Sequence, residues 1–317
     1  MDAVVETHQL RKRYRGHEAL RGVDLTVPAG TVLGLLGHNG AGKTTTVGIL
    51  TTLLRPDGGF ARVAGFDVAR QPHEVRSRIA VAGQYAALDT RLTGRENLVL
   101  LGKLWHLGAR KSRQRAEELL QRFDLGQAAN RMVETYSGGM RRRLDLACCL
   151  VTRPAVLFLD EPSAGLDPSS RQLLWDEVRE QARDGITVVL TTQYLEEADE
   201  LADRIVVLDS GAVIAEGTPE ELKSKVGGEW LGISLEIPAQ VPAALAALAH
   251  IAADNPEVDR DGGRISLPLA DGMATIAAAA AALDRAGLAV TEFAVRRPSL
   301  DDVFLTLTGK SKSERPA

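Results

Sequence analysis

Thr31-Val32-Leu33-Gly34-Leu35-Leu36-Gly37-His38-Asn39-Gly40-Ala41-Gly42-Lys43-Thr44-Thr45 is the stretch on which the reading of this 317-residue chain turns. Thr31–Leu36 has the apolar, glycine-closed pattern of a buried strand. Gly37 to Thr44 then fits G-x-x-x-x-G-K-[ST], and helix-compatible residues follow from Thr46 to Leu54. In a turn between strand and helix, glycines let successive backbone N–H groups converge on phosphate oxygens, and the helix start adds positive potential. Gly37, His38, Asn39, Gly40, Ala41, Gly42, Lys43, Thr44 and Thr45 are therefore candidate phosphate contacts. Lys43 is placed to reach the outer phosphates, and the Thr44 hydroxyl to bind Mg²⁺.

Working outward, Val4–Leu10 and Leu20–Val27 read as strands, and apolar strand runs return at Val156–Leu159, Thr187–Thr191 and Ile205–Leu208. Helical patterns around 140–152, 168–183 and 195–202 separate them, and residues from about 90 to 135 look mostly helical. Such alternation predicts a mostly parallel sheet packed by helices. The run Val156-Leu157-Phe158-Leu159 ends in Asp160-Glu161-Pro162. A strand there brings Asp160 to the Mg²⁺ shell and leaves Glu161 to polarise an attacking water.

Composition shifts after Lys225. Up to that residue the chain carries 30 basic and 30 acidic side chains, and beyond it 8 and 12, which accounts for the net −4. Neither part has the basic footprint of a nucleic-acid binder. Strand, helix, turn, strand, helix and strand from Glu229 to Arg296 predict a small α+β domain of split β-α-β type. Ser299 and Asp302 then resemble a helix-starting capping box. The expected organisation is 1–225, 226–309 and a disordered tail over 310–317. No apolar run approaches the ~18–20 residues of a membrane span, and the N-terminus lacks a signal-peptide pattern. Cys148 and Cys149 have neither disulfide nor metal-ligand spacing and read as small core fillers. Arg11-Lys12-Arg13 and Arg141-Arg142-Arg143 read as solvated faces.

Tyr136-Ser137-Gly138-Gly139-Met140 opens a helix with a serine and two glycines exposing N–H groups. It offers a second phosphate-facing surface, one that a single copy can hardly fold onto its own Lys43 loop. At this point the sequence resembles the ATP-binding subunits of ABC transporters, whose signature reads L-S-G-G-Q; Tyr136 and Met140 replace its outer residues. Residues 136–145, 191–199 and 298–305 narrow the resemblance to the daunorubicin/doxorubicin-resistance type, including actinobacterial lipid-export relatives.

The resemblance implies a P-loop ABC ATPase core with a helical subdomain at about 90–135 and a ferredoxin-like C-terminal domain. It implies ATP and Mg²⁺ as cofactors, with Thr44, Gln84 and Asp160 toward the metal. Tyr14 would stack on adenine. Gln84 would sense Mg²⁺ and γ-phosphate and couple to the membrane partner. Ser137, Gly138 and Gly139 would close on ATP from a second copy, and the loop at Asp167 would cross the dimer interface. The catalytic set is then Glu161, Lys43 and Gln193. The last stands where the family usually carries a histidine; glutamine can orient a γ-phosphate oxygen but cannot become cationic.

The function implied is the ATP-hydrolysing homodimeric half of an exporter, peripheral on the cytoplasmic face of the membrane. It would serve an integral membrane permease, through which a hydrophobic drug, antibiotic or lipid leaves without touching this chain. Segment 298–305 would assist assembly with that permease, or simply seal the small domain. The alternative is a non-transport ABC ATPase or a regulatory nucleotide-binding module. Such proteins usually carry paired cassettes, coiled coils or nucleic-acid elements, and this chain shows one phosphate loop and no heptad array.

Overall fold

A computed structural model describes residues 3–83, 88–225, 229–251, 256–259, 262–269, 272–296 and 298–308. Two compact units, Met1–Pro219 and Glu220–Ala317, divide the chain. The first opens with β1 (Ala3–Tyr14), β2 (His17–Pro28) and β3 (Val32–Leu36), followed by α1 (Lys43–Leu50). Next come β4 (Gly58–Val63), β5 (Phe66–Asp67), α2 (Pro72–Arg76) and β6 (Ile79–Ala82). A helical region holds α3 (Gly94–Leu104), α4 (Ala109–Arg122) and α5 (Gly138–Cys149). The chain then returns through β7 (Val156–Asp160), α6 (Pro168–Arg183), β8 (Thr187–Thr192), α7 (Leu195–Leu201), β9 (Arg204–Asp209), β10 (Ala212–Gly217) and α8 (Pro219–Ser224).

The larger sheet runs β10-β9-β3-β8-β7-β6, parallel throughout except for β10, which pairs antiparallel on the edge. Its inner strands are apolar without alternation because both faces are covered. In β7, Leu157 and Leu159 face the core shared with α4–α6, while Val156 and Phe158 face a second core shared with β1, β2 and α1. The antiparallel sheet β2-β1-β4-β5 completes that second layer. Helix α3 begins with a capping box, in which Glu96 N donates to Thr93 Oγ1 and Thr93 N donates back to the Glu96 carboxylate.

The second unit takes in α8 from Glu220 onward and contains β11 (Trp230–Leu235), α9 (Val241–Leu248), β12 (Glu257–Asp259), β13 (Arg264–Pro268), α10 (Met273–Arg285), β14 (Val290–Arg296) and α11 (Leu300–Thr308). The sheet order β12-β13-β11-β14, antiparallel throughout, is the ferredoxin-like arrangement. The sequence reading has a turn where β12 stands; three residues are too few for a periodic signal. Leu231, Ile233, Ile265 and Leu267 pack with Ala244, Leu248, Ala279 and Leu283 to form its core. The expected Ser299–Asp302 cap is present, with Ser299 N donating to Asp302 Oδ2 (3.0 Å) and Asp302 N to Ser299 Oγ (3.3 Å). The tail expected over 310–317 lies outside the described residues. Among those described, no helix is long and apolar enough to cross a membrane.

Candidate functional site

The glycine-rich loop leaves β3 at the carboxyl edge of the parallel sheet, and Gly42 turns it into α1 with φ +109°, a conformation side chains avoid. A Cβ at Gly42 would lie 2.8 Å from Leu20 Cδ2 and 3.0 Å from the Ala19 carbonyl, so space as well as φ demands glycine. Gly211 N donates to Ala41 O (3.0 Å), Arg21 N donates to Gly211 O (2.7 Å), and His38 Nε2 lies 2.8 Å from Asp209 Oδ1. The loop is thereby anchored to β2 and to the end of β9. Lys43 is buried, and its ammonium donates to the carbonyls of Gly37 (2.6 Å) and His38 (3.2 Å). Burial lowers its pKa, against the opposing pull of the Glu161 and Asp160 carboxylates. Thr44 is exposed and Thr45 half-buried at the same helix start.

Both acids end β7. Asp160 is buried and accepts a hydrogen bond from the Thr191 hydroxyl of the neighbouring β8. Glu161 Oε1 stands 4.0 Å from Lys43 Nζ. Its backbone sits at φ +48°, a strained setting held by hydrogen bonds from Glu161 N to both the carbonyl and the hydroxyl of Thr191, each 3.1 Å. Thr191 thus supports the Asp160 carboxylate and the Glu161 main chain, a role its residue type did not advertise. Gln193 follows the end of β8 and is exposed.

The remaining candidates lie elsewhere on the same unit. Ser137 caps α5 by accepting from Met140 N (3.2 Å), and it is exposed together with Gly138, while Gly139 is half-buried. Among the described residues, no hydrogen bond or ion pair joins this tip to Lys43, Asp160 or Glu161. Asp167 caps α6 and accepts from Ser169 Oγ, Ser170 N and Ser170 Oγ, bonds that hold its carboxyl well below the usual range. Tyr14, exposed at the β1–β2 hairpin, has the Lys12 ammonium 5.6 Å from its ring centroid. Gln84 lies outside the described residues.

Two of the three arginines correct the sequence reading. Arg141 donates to the carbonyls of Val133 and Glu134 and is exposed, as expected. Arg142 donates to the carbonyls of Pro162 and Gly83, and Arg143 to that of Phe123, so both are structural cross-links rather than part of a solvated face. Lys12 likewise is mostly buried and donates to Arg55 O (2.8 Å). The two cysteines do pack against the core, and burial pushes the Cys149 thiol up to about 12.

A phosphate loop, two acids at the end of a strand and a serine-capped glycine tip thus lie in one α/β unit. The family profile described as "ABC transporter" covers residues 20–164, and that of the "ATP-binding protein DrrA1-3-like, C-terminal domain" covers 217–308. The chain belongs to the DrrA-type ATP-binding proteins of ABC transporters. Daunorubicin resistance ATP-binding protein DrrA2 of Streptomyces coeruleorubidus is 54% identical over 96% of this chain and 95% of its own. Daunorubicin/doxorubicin resistance ATP-binding protein DrrA of Streptomyces peucetius is 50% identical over 98% and 94%. Among solved structures, an ABC-transporter ATP-binding subunit superposes with TM-score 0.64 at 29% identity, covering 70% of this chain and 92% of that one. A dimeric ATP-binding cassette in a post-hydrolysis state with ADP and Pi does so with TM-score 0.62 at 26% identity, covering 68% and 98%. As a DrrA-type cassette the chain binds nucleotide and is an ATPase.

Proposed function

We propose that two copies of this chain close head-to-tail over two Mg-ATP and drive a separate integral membrane permease that exports a hydrophobic drug, antibiotic or lipid. The observation that carries this reading is the split site. Lys43, Asp160 and Glu161 cluster at the strand ends, whereas the Ser137 tip is exposed with no bond to them. A tip that serves no phosphate in its own chain is suited to one held by another copy. The relatives' names, which speak of daunorubicin, doxorubicin and linearmycin resistance, supply the cargo class.

In this reading Lys43 exchanges its two carbonyl acceptors for outer phosphate oxygens. Such an exchange favours the ammonium and offsets the desolvation that lowers its pKa. The donor set fits a magnesium nucleotide: glycine positions that a Cβ would fill, a buried cation, and one hydroxyl (Thr44) with one buried carboxylate (Asp160) for an ion that keeps several waters. A magnesium ion held by Thr44 and Asp160 would supply charge neutralisation at the nucleotide phosphates. Glu161 accepts a hydrogen bond from the attacking water, and Gln193 orients a γ-phosphate oxygen without adding charge. Ser137 and Gly139 donate to the γ-phosphate across the interface, with the Asp167 loop of their own chain beside them; Tyr14 stacks on adenine, and Gln84 relays to the permease. Contacts to a γ-phosphate exist only before hydrolysis, so their loss reopens the pair. The cassette then sits on the cytoplasmic face, with α11 aiding assembly.

Glu161→Gln tests this. With saturating ATP, light scattering of the full chain should give twice the monomer mass, and Lys43→Ala should abolish nucleotide binding. A Glu161→Gln protein that binds ATP and stays monomeric refutes the clamp.

A further inference from the structure

The structure assigns Arg142 as a positioning residue that links the two ATP sites of the proposed dimer by tying helix α5 to two loops of its own chain. Its Nε donates to Pro162 O (2.8 Å) and its Nη1 to Gly83 O (2.7 Å), and Asp145 Oδ2 lies 3.4 Å away. The side chain is 12% exposed, so these charge-assisted bonds are shielded from water. It stands in α5, five residues after Ser137, on the same rigid helix as the signature tip.

The two acceptors decide the role. Gly83 directly follows β6 and accepts through its carbonyl. Pro162 directly follows Glu161, whose strained backbone needs outside support. β6 and β7 are neighbouring parallel strands, and the guanidinium spans their carboxyl ends. One planar fork therefore holds two carbonyls at the strand ends that carry this chain's own Asp160 and Glu161. Its helix meanwhile presents Ser137 to the other copy's nucleotide. A shift of α5 on engaging the partner's ATP must either carry Gly83 and Pro162 with it or stretch these bonds. Lysine cannot reproduce the connection, because a point ammonium has no rigid fork to hold two separated carbonyls.

This inference rests on the two-ATP clamp, and the experiment separates the two. ATP turnover of the full chain is measured against ATP concentration for the wild type, Arg142→Ala and Arg142→Lys, with calorimetric melting in parallel. The clamp itself is scored by ATP-driven dimerisation of Glu161→Gln. The expected wild-type Hill coefficient is about 2, falling toward about 1 in both variants, with kcat down about tenfold and KM for ATP changed less than about twofold. A monomeric Glu161→Gln protein defeats the clamp whatever Arg142 does. If Glu161→Gln dimerises, three results overturn the linkage: a wild-type curve without cooperativity, an Arg142→Ala variant that keeps the wild-type Hill coefficient, or full rescue by lysine. A kcat loss accompanied by a lower melting temperature and unchanged cooperativity assigns Arg142 to stability alone.

Discussion

Tyr136 stands where the family signature carries leucine, and the structure gives it a task leucine could not perform. The ring is 3% exposed, and its hydroxyl donates to Ala128 O at 2.7 Å. Tyr136→Phe keeps the ring and removes only the oxygen. The Ala128 carbonyl retains a donor in Arg131 N (2.9 Å), so no acceptor is stranded. The loss is that of one buried hydrogen bond, about 0.5–1.5 kcal/mol. For a unit of this size that lowers the melting temperature by about 1–6 °C. Differential scanning calorimetry of the full chain should show the cassette transition moving while that of the C-terminal unit stays. Gly94→Ala provides the control, since its new methyl would overlap the Tyr136 hydroxyl, whereas the nearest ring atom, Cζ, is 3.3 Å away. The double variant should therefore be less destabilised than the sum of the singles. A cassette transition that moves by under about 1 °C in Tyr136→Phe, or strictly additive costs, would refute this account.

Gly42→Ala forces a side chain onto φ +109° and against Leu20 and the Ala19 carbonyl; it should cost about 2–3 kcal/mol and abolish nucleotide retention, both read by melting with and without ATP. Glu197, fully buried beneath Trp175 Nε1 (3.1 Å), has its carboxyl pushed up by burial, only partly offset by surrounding donors. Because its folded pKa lies above the unfolded value of 4.5, the folded state is penalised as pH rises through the raised pKa. Glu197→Gln keeps an acceptor for Trp175, so its stability relative to wild type should climb from about pH 4.5 upward and then level off; a flat difference in denaturant titrations contradicts this. Turnover should be flat across about pH 6–7 with Gln193 and should acquire an inflection near about 6.5 in Gln193→His. A wild-type inflection there that vanishes in Gln193→Ala counts against the orienting role.

The parts of this fold that could be read from the sequence are those in which a residue's type reports its own surroundings. Val32–Leu36 and Val156–Leu159 are apolar without alternation because each lies between two cores, and Gly42 is glycine because neither its φ nor its space admits anything else. The Ser137 and Asp167 caps are equally local, with acceptor and donor three residues apart. The first two strands run past their expected ends because Arg11–Tyr14 and His17–Ala19 pair across a hairpin whose exposed polar residues give no apolar signal. Glu161 shows the limit more sharply: nothing in Leu-Asp-Glu-Pro announces a left-handed backbone, which exists because Thr191, on another strand, accepts from its N–H twice. Arg142 and Arg143 escape the sequence for the same reason. Adjacent cations suggest solvent where no distant acid is in view, and here the shortest bonds of Arg142 go to main-chain carbonyls 20 and 59 residues away. Every residue has a carbonyl, so no side-chain type at Gly83 or Pro162 could mark the acceptor. A guanidinium whose shortest bonds go to backbone acceptors is not marked by the charges around it in the sequence, and residues that join distant loops in this way come to light only in three dimensions.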